Sequence, residues 1–180
     1  MAILRAASEL MFTGSDVTMP EIAGAALVSE ATAYRYFPDL ATLLQAAMAE
    51  HLPEPADALA SVAGSTDPAE RVAAATDFLL RLVWERRGAV RAIIAATITR
   101  PEIASARPAL RFGLIEHALA PAAAGADPAV LEQLKRDLAV VVSAEALFNL
   151  TDLCHLDADE AIASAVHTAA LLTRASLATA

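Results

Sequence analysis

One cysteine, Cys154, occurs in 180 residues. A single thiol excludes an intramolecular disulfide framework and any CxxC metal site, and it fits a reducing cytoplasm, where we expect the protein. Aromatic residues make up only 4% of the chain while hydrophobic residues reach 57%, so the apolar share rests on other side chains. Much of it is alanine, the best helix former, and β-branched runs are few, which predicts packed helices rather than sheet. Basic residues are scarce: 13 Lys and Arg stand against 22 Asp and Glu, for a net charge of −9. Nucleic-acid binders draw much of their affinity from neutralising phosphates, so this total by itself argues against one.

Long apolar runs are missing too. Arg91 and Glu145 interrupt the most apolar segments, and no stretch reaches the roughly 18–20 residues that would span a bilayer. Met1 to Phe12 carries Arg5 and Glu9 on an amphipathic pattern and lacks the apolar core of a signal peptide. No GxSxG, HExxH or phosphate-loop pattern occurs, and the histidines are scattered, so we expect no enzyme and no cofactor. His155, Asp157, Asp159 and Glu160 look superficially like metal ligands, but helix capping accounts for Asp157 and Glu160 without a metal.

What is present is a succession of helix signals. Ile3, Ala7, Leu10 and Met11 fall on one helical face, and Gly14 suits the end of that helix. Thr18 caps the next start, with Pro20 in its first turn and Glu21 completing a capping box. Ser29 caps a third helix through Tyr36, and Pro38 ends it. Asp39 caps a fourth, carrying Leu40, Leu43, Leu44 and Ala47. After the punctuation at Pro53-Glu54-Pro55, the Asp67-Pro68-Ala69-Glu70 signal opens a long helix to about Arg87. Gly88 is expected to separate it from a helix through Arg100. Pro101 and Pro108 bracket a connection, and a helix from about Ala109 to Leu119 follows. Asp127-Pro128 opens a long helix through about Leu153, and Asp157 with Glu160 opens the last. The expectation is an all-α chain of about nine helices with no strand.

The stretch from Ile3 to Leu44 carries the most information. Two short helices meet at a tight turn at Leu27-Val28. Ala23 is small where the second helix must pass close to the third, and Val28 plugs the angle between them. This is helix-turn-helix logic, in which the following helix lies in the major groove. The Ile22-Ala23 pair, the Val28-Ser29 pair and the Thr32-x-Tyr34-x-Tyr36-Phe37 run, together with Ala6-Ala7, Leu10, Phe12, Gly14, Thr18, Ala26 and Leu43-Leu44, closely resemble the head of the TetR family of transcriptional regulators. The resemblance implies a three-helix DNA-binding head over residues 1–47 and a helical ligand-binding and dimerisation body over 48–180.

It also implies roles. Thr18 and Ser29 would cap helices and hold phosphate near their N-termini. Thr32, Tyr34 and Tyr36 would contact phosphate or thymine methyls. Glu30, Ala31 and Arg35 would face the groove, with Arg35 suited to a bidentate pair with guanine and Glu30 to a cytosine amine. The partners would be a double-stranded DNA operator of palindromic form, an unknown small-molecule effector, and a second copy of the chain docked through the last two long helices. Candidate effector contacts are Phe78, Leu82, Ile94, Thr97, Phe112 and Phe148, with Glu145, Asn149 and Asp152 as a polar stripe on one helix face. Together these describe a ligand-responsive homodimeric repressor. The alternative is a helical ligand-binding or interaction protein whose head no longer binds DNA.

This chain departs from the family at three points. Leu27 stands where the family often has glycine, which costs about 1–2 kcal/mol if the turn needs a positive φ. Leu40 replaces a lysine that would reach a phosphate. The basic arm that the family places before its first helix would precede Met1. Residues 1–50 hold two arginines, Arg5 and Arg35, against six carboxylates. From that imbalance we expect weak affinity per head, reliance on dimerisation and a shallow salt dependence.

Overall fold

The structure, a computed structural model, describes residues 2–102 and 109–178. Pro108, expected to close a connection, lies outside the described residues. Among the described residues there are eleven α-helices and no strand. They are α1 (Ala2–Met11), α2 (Met19–Ala25), α3 (Glu30–Tyr36), α4 (Leu40–Ala49), α5 (Pro55–Ala58), α6 (Pro68–Glu85), α7 (Arg87–Thr99), α8 (Leu110–Leu119), α9 (Pro128–Val141), α10 (Ala144–Asp152) and α11 (Ala158–Ala178).

Most helix starts are built as the sequence implies. The side chains of Thr18, Ser29, Asp39 and Asp127 accept from backbone amides in the first turns of α2, α3, α4 and α9. Asp67 accepts from the Ala69 amide at 2.8 Å. Asp157 and Glu160 exchange reciprocal bonds at the start of α11, each carboxylate accepting from the other's amide. These contacts satisfy donors that a helix N-terminus otherwise leaves unpaired.

Three expectations are corrected. The single helix expected from Asp127 to Leu153 is two, α9 and α10, broken at Val142. Ser143 makes the break: its hydroxyl donates to the Val140 carbonyl at 2.8 Å and accepts from the Ala146 amide at 3.0 Å. The β-branched run Val140-Val141-Val142 before it is a weak helix former. Gly88 does not separate α6 from α7. That break falls at Arg86, and Gly88 lies inside α7 with a packing role. The 21 residues of α11 do reach a span's length and a mean hydropathy of 1.2, but part of the helix is buried, with Ala161, Ile162, Ala165 and Ala169 inside the protein.

The chain divides into two compact units. The first joins residues 1–52 to 83–108, so α7 belongs with the head, whereas the sequence reading assigns it to the body. Its core gathers Ile3, Ala6, Ala7 and Met11 of α1, Ile22 and Ala23 of α2, Ala33 of α3, Leu43, Leu44 and Ala47 of α4, and Ala89 and Ile93 of α7. The small alanines let these helices approach closely. The second unit comprises residues 53–82 and 109–180. There α9 and α10 each pack on α11, and α8 packs on α9. Buried Arg71 of α6 donates to the carbonyls of Val62, His117 and Ala118 at 2.9–3.2 Å. It thereby satisfies orphan carbonyls at the end of α8, where a cation also suits the helix dipole.

Candidate nucleic-acid interface

The turn between α2 and α3 fixes how α3 is presented. The Val28 amide donates to the Ala23 carbonyl at 3.0 Å and the Leu27 amide to that of Gly24 at 3.1 Å. This is a Schellman ending for α2, and it demands a left-handed residue at position 27. Leu27 supplies it with φ of 56° and is 92% exposed, so no burial offsets its strain. Val28 packs against the core, as a plug between two helices requires.

Of the seven residues of α3 only Ala33 is buried. Glu30, Ala31, Tyr34, Arg35 and Tyr36 are exposed and Thr32 is half-buried. Tyr34 and Tyr36 show 49% and 54% of their surface, so Tyr36 is not a core residue, while the neighbouring Phe37 is packed against the core. The Arg35 guanidinium sits over the Tyr36 ring, 5.4 Å from its centroid. Cation–π stacking of this kind restrains a long flexible side chain.

The two hydroxyls at helix starts are already engaged. Thr18 donates both its amide, at 2.9 Å, and its hydroxyl, at 2.7 Å, to the Glu21 carboxylate. Ser29 accepts from the Thr32 amide at 3.2 Å, and the two hydroxyls pair at 2.9 Å. Both residues therefore hold helix geometry in the free protein.

The loop before α2 is gripped from the junction of α6 and α7. Arg86 lies over the Phe12 ring at 4.3 Å, and its burial pushes the guanidinium down from its ordinary value. A Cβ on Gly88 would fall 1.9 Å from the Ser15 carbonyl oxygen, so only glycine allows this approach. At the other end of α7, Arg100 donates to the Asp39 carboxylate at 2.7 Å. That bond, with the Thr42 amide bond, holds Asp39 down at about 2 against the opposing effect of burial.

Charge is unevenly shared. Residues 1–52 and 83–108 hold seven arginines (Arg5, Arg35, Arg86, Arg87, Arg91, Arg100 and Arg107) against eight carboxylates. The unit that carries α3 is thus nearly neutral, and the acidic excess of the chain sits in the other unit.

The effector candidates fall on both units. In the first, Ile94 is half-buried and Thr97 is buried, its hydroxyl donating to the Ile94 carbonyl at 2.8 Å. In the second, Phe78 and Leu82 are half-buried and Phe148 is buried. Phe112 is not an interior residue: it is 55% exposed, because the inward face of α8 is Leu114, Ile115, Ala118 and Leu119. Glu145, Asn149 and Asp152 are exposed along α10. Arg111 sits 4.7 Å from the Phe112 ring centroid and 3.9 Å from Glu145, an association that local spacing does not reveal.

Residues 3–47 match the sequence model of bacterial regulatory proteins of the tetR family. No curated protein matches the chain. Among solved structures it is similar to a TetR transcription regulator from Haloarcula marismortui ATCC 43049, with 19% identity, a TM-score of 0.59, and 97% of this chain and 95% of that one covered. A TetR transcriptional regulator from Rhodococcus sp. RHA1 is similar at 22% identity with a TM-score of 0.56, covering 95% of this chain and 93% of that one. Residues 3–47 thus carry the sequence pattern of the tetR family of bacterial regulatory proteins, and the chain shares the fold of these two solved structures along nearly its whole length.

Proposed function

We propose that this protein is a DNA-binding transcriptional regulator that reads duplex DNA with α3. The observation that carries the reading is the exposure of α3: a capped helix with one buried residue directs Tyr34, Arg35 and Tyr36 outward from a rigid turn. Arg35 reads a guanine edge, while Tyr34, Tyr36 and Thr32 meet phosphates and thymine methyls. Ala31 leaves room against a base, and Glu30 accepts from a cytosine amine. Thr18 and Ser29 serve by aiming α2 and α3 at the backbone. The near-neutral charge of the unit removes much of the objection raised by the acidic total.

The finer reading is a cytoplasmic homodimeric repressor acting on a palindromic operator. Two copies docked through α9–α10 and α11 present two α3 helices about 34–36 Å apart, one turn of DNA. Val140, Leu153 and Leu171 are large apolar side chains left exposed in that region, which supports a second copy there. A small-molecule effector held by the body shifts the head equilibrium by its differential affinity for two states. Selection from a randomised duplex pool, followed by footprinting, tests the DNA reading. A single enriched, palindromic sequence is expected, and binding without sequence preference overturns it.

A second reading, a helical ligand-binding or interaction protein whose head no longer binds DNA, is favoured by the Glu21 carboxylate at the start of α2 and by exposed Leu27. The same selection separates the two, since this reading expects no enriched sequence.

A further inference from the structure

Asp39 divides its carboxylate between two tasks. One oxygen accepts from the Thr42 amide at 2.9 Å and caps α4, while the other accepts from Arg100 at 2.7 Å, across 61 residues of sequence. Asp39 follows the last residue of α3, Tyr36, by only Phe37 and Pro38. Phe37 is packed on the core and proline fixes its own φ, so this link is short and stiff. Arg100 ends α7, whose Ala89 and Ile93 share a core with Leu43, Leu44 and Ala47 of α4. With Gly88 seated on Ser15 at the other end, α7 is fastened to the head at both of its ends.

We propose that Arg100 is a positioning residue for sequence reading: by holding Asp39 it fixes the first turn of α4 and, through Phe37-Pro38, the angle at which α3 presents Arg35. This rests on the DNA reading above. The residue acts through Asp39 and not through phosphate, because the guanidinium is already aimed at a carboxylate.

Two other roles for Arg100 give different results in the same experiment. A phosphate contact would make Arg100→Ala lower the salt slope of binding and would make Asp39→Asn tighten it. Mere neutralisation of Asp39 would let Asp39→Asn restore an Arg100→Ala protein. Asparagine keeps the cap on α4, so Asp39→Asn removes the tie while sparing the helix start.

The test is operator binding over a salt series by Arg100→Ala, Asp39→Asn, the double variant and Arg100→Lys, with hydrogen exchange at the Thr42 and Leu43 amides. The first three are expected to weaken selective binding alike, by about fivefold, with the salt slope unchanged and no multiplication in the double variant. Arg100→Lys restores most of the loss, since the contact uses one nitrogen. Unequal or multiplying effects, or an Asp39→Asn protein that binds as tightly as the parent, overturn the proposal. Unchanged exchange at Thr42 in Arg100→Ala also overturns it, whatever happens with DNA. If the parent protein selects no sequence, the DNA reading fails and the role of Arg100 in reading fails with it, and faster exchange in Arg100→Ala then shows that the tie itself exists.

Discussion

Gly88 meets the Ser15 carbonyl so closely that a Cβ on the glycine would lie 1.9 Å from the oxygen. Backbone, unlike the end of a flexible side chain, has little room to yield. Gly88→Ala therefore costs about 1–3 kcal/mol, the range for overpacking, despite alanine's better helix propensity. Gly24 is the control: it lies in α2, and a methyl there would meet nothing within 4 Å, so Gly24→Ala gains about 0.5–1 kcal/mol. Urea unfolding of the two variants checks the opposite signs.

Leu27 holds a φ of 56° in a turn that needs a left-handed residue, and it buries almost nothing. Leu27→Gly relieves about 1–2 kcal/mol of strain. Against this, glycine adds about 0.4–1 kcal/mol of unfolded-chain entropy. The net expectation is a gain of about 0.5–1 kcal/mol, read as a raised unfolding midpoint with an unchanged slope.

Asp39 makes stability depend on acid. Arg100 first, then the Thr42 amide, hold its folded-state value at about 2, below the ordinary 3.8. The unfolded chain takes up the proton first, so this contribution is full above pH 3.8 and is lost as pH falls through 2. The stability difference between the parent and Asp39→Asn should shrink across that window. A difference that stays constant down to about pH 2 contradicts the ion pair.

Glu21 occupies the Thr18 amide and hydroxyl and places a carboxylate at the start of α2. Glutamine keeps the capping box but loses the charge. Glu21→Gln should cost about 0.5 kcal/mol of stability through the helix dipole. It should tighten DNA binding about threefold at low salt, an effect that fades as salt screens the charge. Titrations at two ionic strengths check both directions.

The helices are legible wherever a cap and a period coincide. Thr18 with Glu21, Asp39, and Asp127 with Pro128 announce starts through bonds spanning two or three residues, and those bonds form. The break at Ser143 is hidden because its cap lies inside an apolar run that continues the helical period. Gly88 misleads because glycine signals both a helix end and a close approach, and the approaching group, Ser15, is distant in sequence. The exposed side of α3 is legible from its residue types, but the ties that hold the helix in place are not. Arg86 on Phe12 and Arg100 on Asp39 are long-range pairs with no local spacing to mark them. The uneven sharing of charge is hidden in the acidic total for a related reason: α7 brings its arginines into the first unit only on folding.

The central claim is that α3 reads sequence. It is tested most directly by titrating the purified protein, by fluorescence anisotropy, with its selected duplex and with a scrambled duplex of the same composition. The account predicts a preference of at least about a thousandfold at physiological salt, and a loss of about 1–3 kcal/mol of that preference in Arg35→Ala, concentrated at one guanine. Equal affinity of the parent protein for the two duplexes would contradict it.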